Sequence, residues 1–427
     1  MRIPAALLRI AGVILVGPCL AAAAGPSPGQ FQSTLDSILA EPYQPSYVPM
    51  GYDSAFGPAA VLNTAPVQDY TTGSIPGSPD APAWPAIFKP VLLHSADGAP
   101  LLGQVALQPG KHPGIVVVHG FNTHGILSVI RWAAMLAANG YNVLAVDQRD
   151  FSFAYSAGLG YPNWLQTFGW KEAEDVLAMG LYLAAQPGVT SVGVVGFSLG
   201  AQDAVLALAL DGQQPGGHAV FSAGLQWSGP ADQNTQVYST ADPPACQTPA
   251  CTYPATDALI TLVVPPYTNT DVCAVLADAA AYYGTTPYAI LTQEAAYRAQ
   301  RHVRVPLLGF YAADDPLVKA FQATMMAGYE AGNPLQRTVE LSRGAHAYFY
   351  DRWWQQRAIL LYFKSLLPGA LRDSWIGTTP TVNQTPGGTP ARDQLVDLGA
   401  PTPSYADAQA APYVCDTSQP PPAYAAP

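Results

Sequence analysis

The sequence predicts an α/β fold built on a doubly wound, mostly parallel sheet. Three observations carry that expectation. Short apolar runs recur at residues 115–119, 192–196 and 305–311, as strands buried on both faces require. Stretches with helical spacing alternate with them, so neighbouring strands are joined by crossovers and pair in parallel. Turn residues such as Asn139-Gly140 separate the two kinds of segment.

Taken in order, residues 90–95 and 100–107 read as a strand pair joined by the turn Ala96-Asp97-Gly98. After strand 115–119, residues 126–138 have helical spacing and close at Asn139-Gly140. Residues 141–146 form the next strand and end at Asp147. Helix 170–185 carries Glu172, Glu174 and Asp175 at its start, where the helix dipole favours acids. Strand 192–196 leads into an Ala-rich helix over 198–210, and 219–227 reads as a strand. Residues 228–304 break the rhythm with many prolines, three cysteines and one helix near 293–301. The alternation resumes with strand 305–311, helix 316–328, strand 336–341 and a closing helix over 351–367. The α/β domain therefore spans 86–367, with 228–304 inserted as a cap. Residues 25–85 form an irregular Pro/Gly/Tyr-rich arm with a short helical patch at 31–39. Residues 368–427 form a Pro-rich tail of the same character.

Composition narrows the class of protein. Charged residues make up 11% of the 427, and the net charge is −11. Nucleic-acid phosphates and anionic membrane faces would repel such a chain, so no nucleic-acid partner is expected, and no segment has the length and continuous apolarity of a membrane span, so no stable membrane insertion is expected. Oligomeric state is not legible. Met1-Arg2, the apolar stretch 3–16, the break at Gly17-Pro18 and Ala22-Ala23-Ala24 read as a signal peptide over 1–24. Secretion or a periplasmic location follows. An uncleaved anchor and a lipoprotein acylated at Cys19 are the alternatives. Removal of Cys19 leaves Cys246, Cys251, Cys273 and Cys415. Four cysteines in an exported chain point to two disulfides, with three possible pairings, against the alternative of free thiols. Cys246–Cys251 with Cys273–Cys415 is the preferred pairing.

Four segments carry chemistry. Gly196-Phe197-Ser198-Leu199-Gly200 lies between a buried strand and a helix. A sharp turn there lifts the serine above the sheet edge, and flanking glycines remove the Cβ atoms that would collide. Val118-His119-Gly120-Phe121 ends an earlier strand; His119 is read as shaping that loop rather than as a base. Asp314 and Asp315 follow strand 305–311, and a carboxylate there would orient an imidazole. Asp315, directly before Pro316, is preferred over Asp314. His346 lies in the loop after the last strand and is the histidine that follows these acids.

Together these segments, within residues 90–367, resemble the α/β-hydrolase superfamily. The Asp-Asp-Pro form is similar to that of the YheT-like abhydrolase branch, which includes esterases acting on lipid or short acyl esters. The resemblance implies the chain order Ser, Asp, His, with Ser198 as nucleophile, Asp315 as acid and His346 as base. It implies oxyanion donors from the backbone N–H groups of Leu199 and Phe121. Asp147 and Arg149 match a scaffold position. The Pro-rich arms, the cysteine-bearing insertion and the leader depart from the branch and leave the substrate class open. Phe151, Phe153, Tyr155, Tyr161, Trp164 and Trp170 form either an acyl pocket or a packed satellite core.

The expected function is hydrolysis of a small-molecule or lipid carboxylic ester through an acyl-enzyme, with no metal or organic cofactor. An acyltransferase or peptidase using the same residues, or a non-catalytic binding protein on this scaffold, are the rival readings.

Overall fold

The computed structural model describes residues 26–41, 87–121, 125–149, 166–214, 220–240, 272–313, 315, 317–330, 333–342, 344, 346–347, 352–367, 369 and 395–397. Its strands are β1 Phe88–His94, β2 Pro100–Ala106, β3 His112–Val118, β4 Asn142–Val146, β5 Val189–Phe197, β6 Phe221–Trp227, β7 Leu307–Ala312, β8 Gln336–Leu341 and β9 Leu395–Asp397. They form one sheet in the order β1-β2-β4-β3-β5-β6-β7-β8-β9. Pairing is parallel from β4 through β8 and antiparallel at β1/β2, β2/β4 and β8/β9.

The helices are α1 Pro28–Ala40, α2 Ile130–Ala138, α3 Trp170–Ala184, α4 Leu199–Gly212, α5 Gln233–Thr240, α6 Val272–Tyr283, α7 Pro287–Thr292, α8 Ala296–Ala299, α9 Ala320–Tyr329 and α10 Arg352–Leu366. The central strands are apolar throughout because both faces are covered. In β3, Ile115 and Val117 face a core shared with Trp132 of α2 and Phe363 of α10. Val116 and Val118 face the opposite core, with Val176 and Met179 of α3 and Val205 of α4. The two-residue period of a strand thus feeds two helical layers. Among the described residues no helix is long and apolar enough to cross a membrane.

Both arms contribute ordered elements: a helix at the expected patch in the first, and in the second a strand that the expectation of irregular chain omits. The helical patch extends to all of α1, because Ser27 accepts the N–H of Gln30 and Pro28 starts the helix. Phe31, Leu35 and Ile38 are buried in the α10 core, each contributing about 1.5–3 kcal/mol by burial. Thr34 and Ser365 share a 2.6 Å hydroxyl hydrogen bond, and Arg357 pairs with Glu41 at 2.9 Å. In the tail, β9 adds to the free edge of β8. Three residues are too few to show a period, and the pairing comes from the exposed edge they cover.

Other boundaries move for local reasons. Gly125–Val129 is a 3-10 turn rather than the start of α2. The helix expected from residue 316 begins at Ala320. Before it, one oxygen of Asp315 accepts the N–H groups of Leu317 and Val318, at 2.8 and 2.9 Å, and holds a turn. The insertion holds α5, α6, α7 and α8 where one helix near 293–301 is expected. Residues 293–301 themselves contain only the short α8 and part of a 3-10 turn over Gln300–His302. The leader 1–24, Asp314 and the aromatics at 151–164 lie outside the described residues, as do Cys19, Cys246, Cys251 and Cys415.

Candidate active site

Ser198 stands between β5 and α4 with φ 55° and ψ −127°. Its N–H donates to the carbonyl of Trp227 at 2.8 Å, which fastens the turn to the end of β6. The turn tolerates no side chain at its flanks. A Cβ at Gly196 would lie 2.1 Å from the carbonyl oxygen of Gly200, and one at Gly200 would lie 2.1 Å from that of His119.

The three sequence-selected side chains come together. Nε2 of His346 lies 2.8 Å from Oγ of Ser198. Nδ1 of His346 lies 2.8 Å from Oδ2 of Asp315, whose Oδ1 is engaged by the turn described above. The acid and the ring are buried, while the serine is half-buried. Ser198 is 148 residues from His346, and His346 is 31 from Asp315. Only the sheet brings them together: the serine follows β5, the acid β7 and the histidine β8.

The two residues expected to supply oxyanion donors lie on segments packed at the serine turn. Leu199 is the first residue of α4, where backbone N–H groups have no partner within the helix. Gly120 packs so closely that a Cβ there would meet Cβ of Ser198 at 2.8 Å, which brings the loop carrying Phe121 to the Ser198 turn. The side chains of Leu199 and Phe121 join an apolar group drawn partly from the insertion. Phe168, Leu199, Val275, Leu276, Ile290 and Leu291 are buried together, with Phe121, Trp170 and Tyr283 at the margin.

His119 is fully buried. Its Nε2 accepts the N–H of Gln148 at 3.2 Å and its Nδ1 donates to the carbonyl of Gly120 at 2.7 Å. Burial lowers its pKa to about 4, so it is neutral at physiological pH. The 3.7 Å approach to Asp147 is therefore not an ion pair. Asp147 instead accepts the N–H of Ile126 at 2.8 Å. Arg149 pairs with Asp175 at 2.6 Å and with Asp97 at 2.7 Å. These residues hold the scaffold together. Two further residues touch the histidine loop and escape sequence reading: Ser228 and Gln355 bond the backbone of Ala347. No local pattern marks them. Among the described residues no group of three His, Cys, Asp or Glu side chains is placed to hold a metal.

The strand order, the sharp turn at Ser198 after β5, and the Asp315 and His346 loops after β7 and β8 define an α/β-hydrolase fold. No family model matches the chain. Over 127 residues the chain is 32% identical to thiohydrolase aneE of Aspergillus aculeatus, a match covering 29% of this chain and 38% of that protein. The chain thus spans well under half the length of that relative. Among solved structures, esterase Pf2001 of Pyrococcus furiosus is 16% identical with a TM-score of 0.42, over 66% of this chain and 93% of that one. The 2,6-dihydroxy-pseudo-oxynicotine hydrolase is 14% identical with a TM-score of 0.42, over 68% and 72%.

Proposed function

We propose that the protein is an exported serine hydrolase that cleaves carboxylic esters through an acyl-enzyme. The observation that carries this reading is the hydrogen-bonded chain Asp315–His346–Ser198. His346 takes the Ser198 proton as the hydroxyl oxygen attacks the substrate carbonyl. The N–H groups of Leu199 and Phe121 receive the charge that develops on the carbonyl oxygen. His346 then returns the proton to the leaving alcohol, and water cleaves the acyl-enzyme by the same route. Asp315 keeps the ring in the tautomer that leaves Nε2 free to accept. The insertion acts as a cap whose apolar residues favour an acyl chain over a charged group. A thioester is the second reading, favoured by the partial identity to a thiohydrolase.

A fluorophosphonate probe tests the chemistry. Wild type should label at Ser198 and hydrolyse p-nitrophenyl butyrate, and a Ser198→Ala variant should do neither. A folded wild type that resists the probe would reject the reading. Comparing p-nitrophenyl butyrate with S-butyryl-N-acetylcysteamine separates oxygen esters from thioesters. For export, the secreted chain should begin at Gly25; retention of residues 1–24 would reject the leader.

A further inference from the structure

Four non-glycine residues among those described have positive φ: Phe168, Ser198, Ser228 and Ala347, at 53°, 55°, 51° and 52°. A side chain makes this region unfavourable, so such residues persist only where their surroundings hold them. Ser198 is the proposed nucleophile. Ala347 directly follows the proposed base. Ser228 lies between the two.

Both backbone groups of Ala347 are held. Its N–H donates to Oγ of Ser228 at 3.1 Å, and its carbonyl accepts from Nε2 of Gln355 at 2.7 Å. Ser228, Ala347 and Gln355 are all fully buried, so water cannot replace either bond. Ser228 is itself fixed, because its N–H donates to the carbonyl of Phe310 in β7 at 2.7 Å. Next to it, the carbonyl of Trp227 holds the N–H of Ser198. The dipeptide at the end of β6 therefore suspends both sides of the site: Trp227 fastens the nucleophile turn, and Ser228 fastens the histidine loop.

We propose that Ser228 and Gln355 are positioning residues. They lock the left-handed turn at Ala347 and so set the His346 ring at proton-transfer distance from Ser198. Neither touches a reacting atom. The inference rests on the reading of Ser198 and His346 as nucleophile and base. Loss of either clamp leaves the substrate surface intact but lets the ring drift. The effect falls on kcat rather than KM, because small misplacements of a catalytic group cost up to roughly a hundredfold in rate.

Ser228→Gly is the informative variant. It removes the hydroxyl while easing the positive φ, so a loss of rate is not explained by a lost fold. Gln355→Leu releases the other side of the same residue. Each is assayed with p-nitrophenyl butyrate and the fluorophosphonate probe, beside wild type and Ser198→Ala, with thermal melts. The expected result is a kcat lower by about ten- to a hundredfold, nearly unchanged KM, slowed labelling and a Ser228→Gly melting temperature close to wild type. The double variant should lose much less than the product of the two single losses, since both act through Ala347. A folded Ser228→Gly with wild-type kcat and labelling would overturn the clamp while leaving the nucleophile assignment standing. A folded wild type that does not label removes both.

Discussion

The guanidinium of Arg149, just beyond β4, donates to the hydroxyl of Tyr283, the last residue of α6, at 2.5 Å. This bond ties a helix of the insertion to the domain beneath it. The anchor is rigid, because Asp175 and Asp97 hold the same guanidinium. The Tyr283 ring packs edge-on against Trp170 at 5.5 Å, with the Lys171 ammonium over Trp170 at 4.4 Å.

Tyr283→Phe should loosen α6 and little else. The ring contact with Trp170 stays and Arg149 keeps both carboxylates, so the loss is about 1 kcal/mol. Amide exchange should accelerate across α6 and remain unchanged in α3. Equal protection of α6 in both proteins would show that the hydroxyl does not hold that helix.

Asp315→Asn should cost far more rate than stability. Oδ1 of Asp315 accepts two backbone N–H groups, from Leu317 and Val318. An asparagine keeps its carbonyl oxygen there and turns its NH2 toward Nδ1 of His346. The ring must then carry its proton on Nε2, where it cannot accept from Ser198. A wrong tautomer of this kind lowers kcat by about 10⁴-fold, with the fold retained by circular dichroism. A modest loss would return the acid role to Asp314, and Asp314→Asn would then show the larger effect.

The sharp turn at Ser198 was readable because its glycines are local: they lie two residues either side of Ser198. The order of Ser198, Asp315 and His346 rests on the resemblance to the α/β-hydrolase superfamily, and the sheet lets three such distant residues meet because its strand ends line up along one rim. Asp314 and Asp315 looked alike because adjacent acids differ only in direction, and that is set by the turn at Leu317. Helix α6 was hidden by its even apolarity, which leaves no stripe to detect. Helix α7 lay outside the expected helix near 293–301 although a local signal for it exists in Thr286-Pro287, since Thr286 accepts the N–H of Ala289 and Pro287 opens the helix. Ser228 and Gln355 could not be found this way. Ser228 meets its partner 119 residues away, and a serine at a strand end signals nothing alone.

Gly200→Ala should abolish labelling of Ser198. The added carbon would lie 2.1 Å from the carbonyl oxygen of His119. That atom is backbone, so no side-chain rotation relieves the clash. Either α4 retracts or the His119–Phe121 loop shifts, and both proposed oxyanion donors ride on those segments. Overpacking of this kind costs about 1–3 kcal/mol, so a folded but inert protein is expected. A variant with wild-type labelling would mean that the loop and the helix are less tightly apposed than their separation implies.

Glu294 offers a test by pH. It is fully buried between α7 and α8, and neither carboxyl oxygen has a hydrogen-bond partner among the described residues. Burial, with the charges of Glu172, Asp232 and Asp203 nearby, pushes its pKa well above the ordinary 4.5. The folded state therefore keeps a proton that the unfolded chain has released at any pH between those two values. Stability falls as pH rises through that window, by about 1.4 kcal/mol per unit for one proton. Below the ordinary carboxyl value both states are protonated and the penalty is absent. Glu294→Gln removes this proton from the balance. Its melting temperature should match wild type below the ordinary carboxyl value and exceed it increasingly as pH rises above that value. Parallel pH dependences in the two proteins would mean that the folded state stabilises the ionised carboxylate after all.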